Sequence, residues 1–287
     1  TVSKNLFCFG FGYSANALST ILDSDQWNVQ GTKRIPGSID NTTITKILPF
    51  SSDQTLKNAS SILSSVTHIL VSIPPGINGD PVLFAHVKDI ISAPCVEWIG
   101  YLSTTGVYGN TEGKIVNEES ECNPTNERGR RRVIAENDWL KLFHNYNLPV
   151  QIFRLAGIYG PDRSAIESIK NKKARRINMP GHAFSRIHVE DIAQILLASI
   201  NNPHPGRVYN VCDNEAAPGA DVVEYACKLM GVKVPPLISL SEAQLSPMAK
   251  SFYKDNRRID NKRIREELSV DLLYPSYREG LSAILDR

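Results

Sequence analysis

Residues Leu6-Phe7-Cys8-Phe9-Gly10-Phe11-Gly12-Tyr13-Ser14-Ala15 run from an apolar stretch, through two spaced glycines, into a segment with helical periodicity. A short continuous apolar run reads as a strand buried on both faces, and such strands belong to parallel sheets covered by helices. The spacing Gly-x-Gly-x-x-Ala then gives each small residue a task. Gly10 permits a tight turn, Gly12 lets backbone approach a pyrophosphate, and Ala15 lets the helix pack closely on the strand. Phe11, Tyr13 and Ser14 fill the intervening positions, where the unpaired N–H groups and dipole of a helix start favour an anion. A plain glycine turn can show the same spacing. The strand before it and the helix after it are what point to dinucleotide binding.

The same alternation continues through the first two-thirds of the chain. Strands are predicted at Leu6–Gly10, Trp27–Gly31, Thr45–Leu48, His68–Ile73, Val96–Ser103 and Val150–Ala156, and helices at Ser14–Leu22, Asp53–Leu63, Asp80–Ser92 and Arg131–Tyr146. Pro74-Pro75-Gly76 ends the fourth strand, because proline cannot continue a ladder. Past Gly160-Pro161 the pattern loosens, with helices expected at Val189–Ile200, Ala220–Met230, Asp260–Leu268 and Tyr277–Leu285 and a short strand at Arg207–Val211. The expected architecture is α/β: a Rossmann-type doubly wound parallel sheet with a smaller C-terminal substrate lobe. The division expected is a nucleotide-binding domain over 1–160, drawing further elements from 189–211, and a lobe made mainly of 161–287.

At 287 residues, 41% of them hydrophobic, the chain can bury a substantial core. Lys+Arg 32 against Asp+Glu 30 leaves a charge of +2, too balanced to argue for nucleic acid as a partner. No apolar run approaches the roughly twenty residues of a membrane span. Cys8, Cys95, Cys122, Cys212 and Cys227 are odd in number and widely spaced, which fits reduced thiols. A cytoplasmic location without a bound metal is the expectation. On that footing the acceptor-like triplets Asn41-Thr42-Thr43 and Asn58-Ala59-Ser60 are chance matches.

The end of the second strand selects between dinucleotides. An NAD site wants a carboxylate there to accept from the ribose 2′-OH, but Trp27-Asn28-Val29-Gln30-Gly31 is followed by Thr32-Lys33-Arg34. A hydroxyl, an ammonium and a guanidinium suit a 2′-phosphate, so NADP(H) is the expected cofactor, against the alternative of a solvated basic turn.

Tyr101-Leu102-Ser103-Thr104-Thr105-Gly106-Val107-Tyr108-Gly109 and Arg128-Gly129-Arg130-Arg131-Arg132-Val133-Ile134-Ala135-Glu136 carry a more specific likeness. The first resembles the strand and active-site loop of the extended short-chain dehydrogenase/reductases, in particular atypical members of the nucleoside-diphosphate-sugar epimerase type. His68–Gly76, Arg154–Pro161 and Phe184–Ala193 are similar to further segments of that family. The resemblance implies that Thr104 binds the reacting oxygen, that Ile73, Pro74 and Pro75 lie along the cofactor, and that Tyr159 flanks the nicotinamide. It also implies a substrate side holding Arg154, Arg186 and His188.

The departure from the family is equally specific. Its Tyr-x-x-x-Lys pair falls on Arg128 and Arg132 once Ala135-Glu136 fix the frame. A guanidinium stays protonated at any usable pH and has no acceptor lone pair, so Arg128 cannot replace a phenol, whereas Arg132 can still donate to a ribose. Losing a placed general acid/base forfeits about 10²–10⁴ in rate. Candidate substitutes are Tyr108, Tyr159, His188 and Tyr101. Thr105-Gly106 stands where a dehydratase carries Asp-Glu, which argues against sugar dehydration. The arginine cluster reads either as an anion site or as a basic patch neutralised by Glu118, Glu119, Glu121 and Glu127. Two functions follow: an NADP(H)-dependent oxidoreductase or epimerase acting on a sugar-nucleotide-like or other small carbonyl substrate, or an NADP(H)-binding sensor with impaired catalysis. Relatives pair through helices corresponding to Asp80–Ser92 and Arg131–Tyr146, which makes a homodimer an expectation.

Overall fold

The computed structural model of the protein describes residues 4–35 and 46–287. Asn41-Thr42-Thr43, and Thr45 of the expected third strand, lie outside the described residues. In chain order the first elements are β1 (Lys4–Phe9), α1 (Tyr13–Ile21), β2 (Trp27–Lys33), β3 (Lys46–Pro49), α2 (Ala59–Leu63), β4 (His68–Val71), α3 (Pro81–Ile91) and β5 (Trp98–Thr104). A 3-10 turn (Thr105–Tyr108) leads to β6 (Ile115–Val116), α4 (Glu127–Tyr146), β7 (Val150–Leu155), β8 (Gly157–Tyr159), α5 (Ala165–Lys170), β9 (Arg176–Ile177), β10 (Arg186–His188) and α6 (Val189–Asn201). The remainder holds β11 (Val208–Val211), α7 (Gly219–Met230), β12 (Leu237–Ile238), α8 (Pro247–Lys254), β13 (Arg258–Ile259), α9 (Lys262–Glu267) and α10 (Tyr277–Leu285).

The chain divides into two compact units. Unit 1 takes Thr1–Thr104, Glu127–Arg154 and Ile192–Tyr209; unit 2 takes Thr105–Asn126, Leu155–Asp191 and Asn210–Arg287. The principal sheet has seven strands in the order β11-β7-β5-β4-β1-β2-β3, and β1 pairs in parallel with both β2 and β4. This is the doubly wound Rossmann arrangement, in which the chain first builds outward from β1 on one side and then returns to its other side. The reversal falls between β1 and β4, and ligands of such sheets bind beyond the carboxyl ends of the strands at that point.

The core of unit 1 gathers Phe7, Phe9, Val71 and Ile152 from one face of the sheet with Leu63 of α2 and Trp139 of α4. Asp80 joins two of the covering helices. Its Oδ1 caps α3 by accepting from Val82 N and Leu83 N, both at 2.9 Å, while Oδ2 accepts from Trp139 Nε1 of α4 at 3.1 Å. Unit 2 has its own core, in which Tyr159, Ile166, Ala226 and Leu281 pack together.

Two expected helices change length for visible reasons. Instead of running from Asp53, α2 begins at Ala59, because Ser51 and Gln54 close a tight bridge and Leu56 N donates to His86 Nε2 of α3 at 3.0 Å. Conversely α4 starts at Glu127 rather than Arg131, since Glu127 accepts from Arg130 Nε at 3.1 Å and Arg131 Nε at 3.2 Å. One carboxylate in the first turn thus offsets cations that oppose the helix dipole.

Candidate active site

The glycine turn is clamped from both neighbouring strands. Gly10 N donates to Thr32 Oγ1 of β2 at 2.9 Å, and Gly10 O accepts from Ser72 Oγ, just past β4, at 2.7 Å. Gly10 has φ of +87°, and a Cβ there would lie 2.8 Å from Ser72 Oγ and 2.9 Å from Ile73 Cγ1, so both conformation and space demand glycine. Phe11 folds back over Gly31, whose own Cβ would meet the ring at 2.8 Å. Ala15 is fully buried beneath α1 and Ser14 nearly so.

Gly12 is different. It is exposed, it caps α1 without any side-chain hydrogen bond, no acidic residue occupies the first turn, and a Cβ on it would meet nothing within 4 Å. It stands at a helix start, which fits a pyrophosphate oxygen cluster. Thr32 is fully buried, and its hydroxyl serves Gly10 instead of facing outward. Lys33 is half-buried and Arg34 exposed, and neither forms an ion pair among the described residues. Thr32 therefore shapes the turn, and Lys33 with Arg34 supplies positive charge.

Because β1, β4 and β5 are parallel neighbours, with Val71 level with Phe9 on one side and Tyr101 on the other, their carboxyl ends share one edge. That edge brings together Gly10, the Ile73-Pro74-Pro75 segment and Thr104, which closes β5 half-buried. Behind Thr104, Ser103 Oγ donates to Glu136 Oε1 at 2.6 Å, and Arg154 meets the same carboxylate through Nε at 3.0 Å and Nη2 at 2.8 Å. The guanidinium of Arg154, expected on the substrate side, is thus engaged in a buried bidentate pair. Arg132 Nη1 donates to Tyr101 Oη at 3.1 Å and to Leu102 O at 3.0 Å, which fixes it against the end of β5. Arg128 is exposed at the start of α4.

Comparisons with known proteins agree with this fold. Residues 85–212 match the model of the NAD dependent epimerase/dehydratase family. A structure of a functionally unknown conserved protein from Silicibacter pomeroyi DSS is 45% identical, with a TM-score of 0.91 over 99% of this chain and 98% of that one. UDP-glucuronic acid 4-epimerase from Bacillus cereus, in complex with NAD, superposes with a TM-score of 0.78 at 16% identity, over 98% of this chain and 97% of the other. Protein YeeZ of Escherichia coli K12 is 24% identical across 95% of this chain and 97% of its own length. Residues 85–212 thus carry the pattern of the NAD dependent epimerase/dehydratase family, and the chain as a whole shares the fold of the solved epimerase.

Epimerase/dehydratase chemistry needs a proton donor as well as a cofactor, and in this chain the candidate hydroxyls are engaged. Burial drives the Tyr101 phenol well above its ordinary range, although Arg132 pulls the other way. Tyr108 Oη donates to Asn210 Oδ1 at 2.5 Å, and Asn210 is itself held by Glu118 Oε1 and Asp260 O. Tyr159 Oη donates to Ser276 O at 3.3 Å, and burial pushes its pKa up beyond any useful range. His188 is fully buried: Nδ1 accepts from Glu190 N at 3.0 Å, Nε2 has no partner among the described residues, and desolvation lowers its pKa to about 4. Unit 2 does bring Tyr159, Arg186 and His188 together, because β8 and β10 pair with Tyr159 level with His188 and Gly157 level with Arg186.

Glu118 and Glu119, expected to neutralise the arginine cluster, both pair with Arg263. Ser72 and Glu136 escaped the sequence reading. Ser72 acts across 62 residues, and no local pattern marks it. Among the described residues, no helix is long and apolar enough to cross a membrane, and no group of three His, Cys, Asp or Glu side chains could hold a metal ion.

Proposed function

We propose that the chain is an NADP(H)-dependent oxidoreductase or epimerase acting on a sugar-nucleotide-like or other small carbonyl substrate. The observation that carries this reading is the cradle at the end of β1, with exposed Gly12 at an uncapped helix and cationic Lys33 and Arg34 where an NAD site would have a carboxylate. Bound there, the dinucleotide supplies hydride exchange with a substrate carbon. Gly12 and the first turn of α1 hold the pyrophosphate, while Arg34, with Lys33, grips the 2′-phosphate. Thr104 orients the reacting oxygen by a hydrogen bond. Arg132, anchored through Nη1, directs its remaining N–H groups to the ribose. UDP-glucuronic acid and NAD, bound in a structure of the Bacillus cereus epimerase, support a sugar-nucleotide as the substrate class.

The test is calorimetry with NADP and NAD on the pure protein, preceded by identification of any nucleotide that copurifies. Tighter NADP binding is expected, and the absence of binding to either oxidised or reduced NADP at millimolar levels overturns the reading.

A second reading, an NADP(H)-binding sensor, is favoured by the engagement of Tyr101, Tyr108 and Tyr159. Incorporation of solvent deuterium into members of a carbonyl panel separates the two, since a sensor gives none. A second copy of the chain is inferred to dock through α3 and α4, where Phe84 is 72% and Ile134 55% exposed. Light scattering on Phe84→Asp should then report a monomer. We also place the protein in the cytoplasm, on the odd number of unpaired cysteines.

A further inference from the structure

Arg186 ends in a half-used fork. Nη1 donates to Phe184 O at 2.9 Å and Ala217 O at 3.0 Å, whereas Nε and Nη2 make no hydrogen bond among the described residues. Asp213 is its counterpart. Oδ1 accepts from Glu215 N at 3.0 Å, but Oδ2 is buried without a partner. Asp213 N donates to Arg186 O at 2.7 Å, so the residues are backbone neighbours, yet no ion pair closes between their side chains. Tyr159, Tyr253 and Tyr277 surround the guanidinium, Phe184 lies 5.9 Å beneath it, and Gly157, level with it on β8, is exposed and adds no side chain. Arg186 and Tyr253 keep partial exposure while Asp213 is only 4% exposed.

We propose that this cluster is an oxyanion site of unit 2, in which the free edge of Arg186 takes a carboxylate or phosphate group and protonated Asp213 donates to one of its oxygens. A planar guanidinium matches such groups bidentately, and a protonated carboxyl gains the O–H that an ionised one lacks. The surroundings favour the proton. Burial is the largest influence raising Asp213 to about 7, Glu215 and Asp191 push the same way, and the Glu215 N–H and Arg186 oppose them. Tyr159 stays neutral beside it, raised by burial and by Asp213 and Asp191. Binding therefore takes up a proton above neutrality. Affinity is full below about pH 7 and falls by up to about tenfold per pH unit above it.

The site lies within unit 2 and stands apart from the dinucleotide assignment, which is tested by NADP titration against residues of unit 1. The experiment is calorimetry of the full chain with sodium glucuronate, whose carboxylate does not titrate over the range from about pH 6 to about pH 9. Inorganic phosphate is added as a competitor at about pH 6, and displacement of glucuronate by phosphate distinguishes a general oxyanion site from a carboxylate-selective one. Arg186→Gln should weaken glucuronate at least about tenfold. Asp213→Asn, which retains a donor of similar shape, should still bind and lose the pH dependence. Retained binding in that variant shows that it is folded, and thermal melting checks Arg186→Gln. The proposal is overturned if glucuronate fails to bind at millimolar levels, if Arg186→Gln binds as the parent does, or if the parent shows the same flat pH profile as Asp213→Asn.

Discussion

The end of β1 and the start of α4 belong to one unit and meet opposite demands. At the end of β1, side chains from two flanking strands satisfy the polar groups of Gly10, and an exposed glycine and two cations without an ion pair among the described residues remain open. At the start of α4, Arg128 and Arg132 stand where the resemblance puts a phenol and an ammonium, and the nearby Tyr101 hydroxyl already accepts from Arg132. Binding a dinucleotide needs space, backbone conformation and charge, which many side chains can supply together. Moving a proton needs one lone pair at one atom. A chain can therefore lose the second capacity while keeping the first.

The largest expected effect lies in the network that supports both regions. Glu136→Ala leaves Arg154 buried without its bidentate partner, and stripping one member from a buried pair costs about 3–5 kcal/mol. Urea unfolding measures this, and a loss under about 1 kcal/mol would show that the pair is not what holds β7 and α4 together. Next is Gly10→Ala. Its positive φ costs about 1–2 kcal/mol and the contact with Ser72 and Ile73 about 1–3 more. Melting temperature and NADPH titration should fall together, and unchanged NADPH affinity would detach the turn from the cofactor. Arg34→Ala acts on charge alone. Losing a charge-assisted hydrogen bond of about 1.5–3 kcal/mol weakens NADP by about 10–100-fold and leaves NAD nearly unchanged. Equal losses for both would refute the 2′-phosphate assignment.

The strand and glycine turn at the start of the chain were legible because their signal is local: an apolar run, then glycines whose conformational role fixes their spacing. The central strands and the flanking helices α1, α3, α6, α7 and α10 were readable for the same reason, to within a few residues. Asp53 was placed in a helix because the apolar spacing permits one, but the tertiary bond from Leu56 to His86 and the bridge at Ser51 override that local preference. The helix α8 was missed because it is short and buries no residue, although Met248 and Phe252 one turn apart, Ser246 capping Ala249 N and Pro247 at its start were available as signals. Thr32 was read as facing a phosphate, yet its hydroxyl holds Gly10. Strand periodicity could have shown it, because residues of one strand alternate between faces. Asp213 and Ser72 depend on contacts far apart in sequence, and no spacing rule reaches them.

The smallest effect bears most directly on whether proton transfer survives. Tyr108 stands in the Val-Tyr-Gly loop, where a phenol could replace the one the resemblance expects at position 128, but its hydroxyl donates to Asn210 Oδ1, and Asn210 Nδ2 in turn donates to Asp260 O. If that bond is structural, Tyr108→Phe removes the buried hydrogen bond to Asn210 Oδ1, for a loss of about 1–3 kcal/mol in stability. NADP affinity and any solvent exchange should then stay within about threefold of the parent. If Tyr108 is instead the proton donor, exchange drops by about 100-fold or more while NADP binding is unchanged. The split between stability and exchange in this one variant decides whether the active-site loop of unit 2 braces the fold or moves protons.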